Sequence, residues 1–180
     1  MRKVLVIGSG GAGKSTFARR LGALRGSEVI HLDALYWNPG WVETPKDVWA
    51  ERVAALVERD AWIMDGNYSG TLDIRLKACD AVVFLDMPRL LCLWRVLQRA
   101  LMYRTRSRPD MAAGCPEKLD RDFLKFLLWV WNYPKQTKPK ILARIQENSG
   151  SKKVVWLRSP AGAEKYLADL SQASSIIERQ

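Results

Sequence analysis

Gly8-Ser9-Gly10-Gly11-Ala12-Gly13-Lys14-Ser15-Thr16 fits the P-loop spacing G-x-x-x-x-G-K-[ST] without a mismatch. Four glycines let such a loop turn its backbone N–H groups inward around a phosphate, where a Cβ would obstruct the approach. Lys14 then reaches the β- and γ-phosphates, and the hydroxyl of Ser15 is offered to Mg²⁺. A helix opening here aims the positive end of its dipole at the same anion. The ligand class implied is a nucleoside triphosphate, and residues 8–16 are its candidate binding loop. A short motif needs its context, a strand before and a helix after. Lys3 to Ile7 is a continuous apolar run of buried-strand type, and Phe17, Leu21 and Leu24 follow at helical spacing.

Four further runs read as strands: Glu28 to Asp33, Ala61 to Asp65, Asp80 to Asp86 and Lys152 to Leu157. Helical patterns separate them. Thr44-Pro45 opens one that carries Val48, Trp49, Val53 and Leu56. A short one spans Thr71 to Lys77, and another runs from Pro88 to about Tyr103 with a predicted core stripe of Leu90, Trp94, Leu97 and Leu101. Glu117 to Val130 follows, with Leu119, Phe123, Phe126, Leu127 and Val130 as core and Trp129, Trp131 and Tyr133 as packing. Pro134 is expected to break that helix. Lys135, Lys138 and Lys140, read as a solvated face, lead into a helix with Ile141, Leu142 and Ile145. Ser159-Pro160 caps the last helix, and the tail from Ser171 is expected to fray. Alternating strands and helices predict a doubly wound parallel sheet with helices on both faces. Ala34 to Trp41 is expected to be irregular, its aromatics packing the loop down or stacking on a base.

At 180 residues the chain is one domain's worth, and no internal repeat or linker divides it. Its start shows no basic leader followed by a long apolar segment, and no apolar run reaches membrane-spanning length, so a soluble cytoplasmic protein without membrane partners is expected. Cys79, Cys92 and Cys115 have no C-x-x-C spacing, which disfavours zinc or a disulfide framework. A formal charge of +10 admits two explanations, a nucleic-acid surface or a site built to hold several phosphates. Six arginines, Arg89, Arg95, Arg99, Arg104, Arg106 and Arg108, lie between Pro88 and Pro109 without an acid. The last three fall in a segment that loses its apolar periodicity, so residues 104–117 read as a lid able to carry guanidinium groups over transferring phosphates. The other reading of these arginines is a solvated basic face or a nucleic-acid patch.

Several stretches resemble one family. Gly8 to Thr16, His31-Leu32-Asp33 with Tyr36-Trp37 and Pro39-Gly40-Trp41, Trp62 to Tyr68, and Phe84 to Arg89 look like the adenylate-kinase-related proteins labelled FlaR-like or DNA topology modulation proteins. The resemblance covers about the first 145 residues. It implies the nucleotide-kinase P-loop fold, with a five-stranded parallel sheet, an arginine-bearing lid (catalytic candidates Arg99, Arg104, Arg106 and Arg108 with Lys14), and an acceptor pocket beyond the second strand. It further implies an ATP- and Mg²⁺-dependent kinase acting on a small phosphoryl acceptor.

Within that implied pocket the acceptor candidates are Asp33, Tyr36, Trp37, Asn67, Tyr68 and Arg75. Asp65 matches the acid that holds Mg²⁺ through water, alongside Ser15. Asn67-Tyr68 stands where adenylate kinase has Phe-Pro-Arg, so the arginine that grips a monophosphate is missing there, and Arg75 is the candidate substitute. Asp33 separates two chemistries. A phosphate acceptor needs no base and would be repelled by a carboxylate, whereas a hydroxyl acceptor can be oriented and deprotonated by one. Asp33 as a mere turn cap is the bland alternative, and His31 is read as structural. Two further classes stand beside the kinase: a nucleotide-regulated DNA- or RNA-binding protein, and a kinase of polynucleotide 5′-hydroxyl ends.

Overall fold

The computed structural model describes residues 1–105, 108–148, 150 and 152–177. Five parallel strands form the main sheet: β1 (Lys3–Gly8), β2 (Val29–His31), β5 (Trp62–Asp65), β6 (Ala81–Leu85) and β7 (Lys153–Leu157), in the order β2-β5-β1-β6-β7. Two short strands, β3 (Trp37–Asn38) and β4 (Val42–Glu43), pair antiparallel as a separate hairpin.

Both faces of the central strands are covered, which is why they read as unbroken apolar runs. Successive residues enter opposite cores. Leu5 and Ile7 pack with Trp62, Met64, Val82 and Phe84 beneath α3 (Lys46–Val57), α4 (Leu72–Ala78) and α7 (Lys138–Glu147). Val4 and Val6 pack with Ile63, Val83 and Leu85 beneath α1 (Lys14–Arg25), α5 (Arg89–Met102), α6 (Arg121–Gln136) and α8 (Pro160–Ile177). The chain leaves β1 through α1 to the edge strand β2, and β5 later fills the gap between them. β1, β2 and β5 therefore end on one rim, where ligands of open parallel sheets bind.

Several local expectations are corrected. The second strand stops at His31, and Leu32–Tyr36 is a helix, α2, so Asp33 lies in a helical first turn. The stretch expected to be irregular is α2 followed by the hairpin, whose turn holds Gly40 and Trp41 at φ 80° and 66°. Thr44 does not cap α3. Its hydroxyl donates to the Tyr36 carbonyl at 2.5 Å, and Val48 faces solvent while Trp49, Val53 and Leu56 are buried.

α6 begins at Arg121, because Asp120 Oδ1 accepts from the Asp122 and Phe123 amides at 3.1 and 3.0 Å, which leaves Leu119 exposed before the helix. The same helix runs through Pro134 to Gln136. Lys138 is no free surface cation, since it pairs with Asp86 at 2.6 Å. The largest reversal is on α5. Its buried residues are Cys92, Val96 and Ala100, and the predicted stripe of Leu90, Trp94, Leu97 and Leu101 faces outward. Both sets repeat at helical spacing, and periodicity alone does not say which faces the sheet. The last helix does not fray at Ser171 but continues through Ile177, with its N-terminus capped by Ser159 as expected, Oγ accepting from the Gly162 amide at 3.0 Å. No helix among the described residues is long and apolar enough to cross a membrane.

Candidate active site

The loop from Gly8 to Gly13 joins β1 to α1, and Gly13, at φ 91°, is the residue that precedes the helix. Gly11 sits at φ 75°, and a Cβ there would collide with the Cys92 carbonyl of α5. Glycine is thus demanded from outside the loop, by a helix backbone, as well as by any anion inside it. Residues Gly10 to Thr16 line a cleft of about 1250 Å³. Gly8 and Ser9 lie behind it. Gly8 exchanges two hydrogen bonds with the Asn67 side chain, its N–H donating to Oδ1 at 3.2 Å and its carbonyl accepting from Nδ2 at 2.8 Å. The Ser9 carbonyl accepts from Lys14 Nζ at 3.0 Å.

Lys14 is half-buried, and loss of water around it pushes its pKa down while Asp33 and Asp65 pull it back up. Among the described residues no carboxylate comes within ion-pair distance of it. A cation so placed, at the mouth of a helix and in a left-handed glycine loop, fits an anion such as a phosphate chain.

Opposite the loop, α5 and the segment after it supply guanidinium groups. Arg95, Arg99 and Arg108 line the cleft. Arg99 Nε lies 2.9 Å from Glu117 Oε1, and Arg108 spans Glu117 at 3.3 Å and Asp110 at 3.4 Å. Burial and the neighbouring Arg108 charge push the Arg99 pKa down against the pull of Glu117. Burial opposes the ionisation of Asp110, yet Arg108 and the nearby Ser15 hold its carboxyl below the ordinary range.

The segment is docked on the hairpin. Gly40 donates to the Gly114 carbonyl at 2.9 Å, Trp41 Nε1 to the Pro116 carbonyl at 2.8 Å, and Cys115 Sγ approaches the Asn38 carbonyl at 3.2 Å. Of the other two arginines read as catalytic, Arg104 is exposed and does not line the cleft, and Arg106 lies outside the described residues.

The acceptor candidates divide. Asp33, Trp37, Asn67 and Tyr68 line the cleft, and the Tyr68 hydroxyl donates to Asp33 Oδ1 at 2.7 Å. Burial, then the Asp33 charge, drives the Tyr68 pKa well up, so the phenol stays a donor. Tyr36 instead packs among Trp37, Trp49 and Tyr68. Arg75 is corrected. It is 0% exposed, and its Nε, Nη1 and Nη2 donate to the carbonyls of Thr71, Gly66, Asn67 and Tyr68 at 3.3, 2.9, 2.5 and 2.8 Å. Burial pushes its pKa down to about 9 against weaker pulls from Tyr68 and Cys79. It holds the loop after β5 and does not reach the cleft.

Asp65, 4% exposed, is bonded by His31 Nδ1 at 2.6 Å. That bond raises the His31 pKa against the effect of burial. Asp86, the acid that follows β6, is taken up by Lys138 and by Trp156 Nε1 at 3.0 Å. No three His, Cys, Asp or Glu among the described residues are grouped to hold a metal by themselves. Mg²⁺ is commonly bound by one or two side chains together with substrate phosphates, and Ser15, which lines the cleft beside Lys14, fits that donor set; Asp65 does not line the cleft, so its part would be played through water.

Sequence reasoning missed Asp110 and Glu117, and it read His31 as structural without finding its partner Asp65. His31 and Asp65 are register partners on adjacent strands, a relation visible only once the strand order is known. Asp110 lies two residues and Glu117 nine residues beyond Arg108, a sign that the charges of the arginine run are partly answered within the segment.

Among solved structures the chain is similar to shikimate kinase from Acinetobacter baumannii in complex with shikimate, at a TM-score of 0.57 and 19% identity, over 100% of this chain and 95% of that one. It is also similar to an unliganded sugar kinase from Janibacter sp., at a TM-score of 0.47 and 18% identity, over 97% and 92% of the two chains. No family model matches the sequence, and no curated protein matches it. The first likeness shows the fold, a P-loop NTPase with a five-stranded parallel sheet flanked by helices. At this identity what is shared is the fold alone.

Proposed function

We propose that the chain is an ATP- and Mg²⁺-dependent phosphotransferase that moves the γ-phosphate to a small acceptor, within the adenylate-kinase-related, FlaR-like group its motifs resemble. The observation that carries this reading is the cleft itself: Lys14, half-buried and with no carboxylate within ion-pair distance among the described residues, lines it together with Arg99 and Arg108. Phosphoryl transfer asks chiefly for positioning and for charge stabilisation around equatorial oxygens, and this arrangement suits both. Mg²⁺, when bound, neutralises charge on the phosphate oxygens, and Ser15 and Asp65 are the residues that would hold it. Lys14 binds the phosphate chain from below. Arg99 and Arg108 line the same cleft, each within ion-pair distance of Glu117.

The acceptor is a hydroxyl compound. Asp33 lies in the cleft with Oδ1 engaged by Tyr68, so the carboxylate is fixed in place and its Oδ2 is the atom offered to an incoming hydroxyl. A phosphate acceptor would meet that carboxylate as a like charge. Trp37 and Tyr68 supply apolar wall beside it. Replacing Asp33 by Asn preserves shape and removes the base. Turnover should fall by roughly 10² to 10⁴ with ATP affinity retained. Unchanged turnover in Asp33→Asn would return the residue to a purely structural role.

A further inference from the structure

We infer that the outward face of the α5–α6 pair is a self-association surface, on which a second copy of this chain packs about a two-fold axis. Leu90, Trp94, Leu97 and Leu101 repeat along α5 at spacings of four, three and four residues, and Leu124, Leu128 and Trp131 repeat along α6 at four and three. This is the narrow seam of helices that pack on other helices by knobs into holes, more restricted than the broad stripe that faces a sheet. The core-facing role on both helices is already filled by other residues, Cys92, Val96 and Ala100 on α5 and Phe123, Val130 and Tyr133 on α6.

The two helices run antiparallel and are tied at both ends. Arg89, at the start of α5, stacks on Trp131 near the end of α6 at 3.9 Å, and the Glu117 amide bonds the Tyr103 carbonyl at 2.9 Å at the other end. The two seams therefore adjoin as one face. An antiparallel pair presenting two such seams meets its own copy as a four-helix arrangement, two helices from each chain.

The area fits this occupant. The seven side chains are 41–69% exposed. At on the order of 100 Å² uncovered apiece they leave roughly 700–800 Å² of apolar surface. A typical monomer's largest apolar patch is about 300–600 Å², and a standard interface covers about 800 Å² per partner. An anionic membrane is the weaker match. Within the span of the seven residues Arg89 is engaged on Trp131, Lys125 is paired with Asp122 at 2.7 Å, and Arg95 and Arg99 line the cleft. Exposed Arg104 and Arg121 stand only at the ends of the two helices.

The test is the mass of the full chain in solution, by sedimentation velocity and light scattering at concentrations up to on the order of 100 µM. The wild type should run at twice its chain mass of 20.5 kDa. Leu97→Glu and Leu128→Glu, both at exposed positions, should each halve that mass while keeping the wild-type circular dichroism and melting temperature. Val48→Glu, exposed on α3 away from this face, should remain dimeric. A wild type that stays at 20.5 kDa overturns the inference whatever the variants do. A dimer that survives both glutamates with folding intact also overturns it. A monomer that floats with phosphatidylserine vesicles would overturn it in favour of a membrane-facing surface.

Discussion

His31 Nδ1 lies 2.6 Å from Asp65 Oδ1, and the two residues are register partners at the ends of adjacent parallel strands. Asp65 is almost wholly buried behind the P-loop, so this imidazole is its principal compensation for lost water. His31→Ala should therefore lower unfolding free energy by about 1–3 kcal/mol, the cost of stranding a buried acceptor. His31→Asn, which can donate from its amide, should recover part of it. Urea unfolding of the two variants measures this, and a loss below about 0.5 kcal/mol in His31→Ala would show that the pair contributes nothing to stability.

Arg99 and Arg108 line the same cleft as the P-loop, and Glu117 touches both. Replacing Arg108 by Ala should reduce kcat by roughly 10³ with ATP affinity little altered, because its charge matters most when negative charge is redistributed in the transition state. Arg104, exposed and off the cleft, should give a much smaller loss when replaced by Ala. Steady-state kinetics beside nucleotide titration separates the two quantities. Equal losses of kcat and affinity in Arg108→Ala would mean that the arginine only binds.

Arg75 is spoken for by the backbone of residues 66–71. Arg75→Met should cost roughly 3 kcal/mol or more, since several carbonyls lose their donor together. Thermal melts check this directly. A variant with wild-type stability and a raised KM for the acceptor would restore Arg75 to the acceptor site.

How much of this was legible in the sequence depended on whether a feature is local. The P-loop, the five strands and their order along the chain follow from a motif and from unbroken apolar runs such as Val4 to Ile7. What periodicity left open was direction. α5 carries two apolar faces, and only packing against β6 and the P-loop selects Cys92, Val96 and Ala100 for the interior. Pro134 reads as a breaker in the sequence, but the helix holding it is fixed by Val130 and Tyr133, one in each of the two cores.

In the candidate site, cleft-facing residues near the motif were readable, among them Asp33, Asn67 and Tyr68. Pairings across long sequence separations were not. His31 with Asp65 and Arg99 with Glu117 depend on strand order and on the path of the segment after α5. Arg75 misled because a buried cation that organises backbone carbonyls has the same sequence signature as one that waits for a phosphate.

The most direct measurement is transfer of labelled γ-phosphate from Mg-ATP to a panel of nucleoside monophosphates, nucleosides, small hydroxyl metabolites and 5′-hydroxyl oligonucleotides. The expected result is transfer to a small hydroxyl acceptor, abolished by Lys14→Ala and strongly reduced by Asp33→Asn. Tight ATP binding with slow hydrolysis and no transfer to any member would contradict a phosphotransferase and point to a nucleotide-switched binding protein.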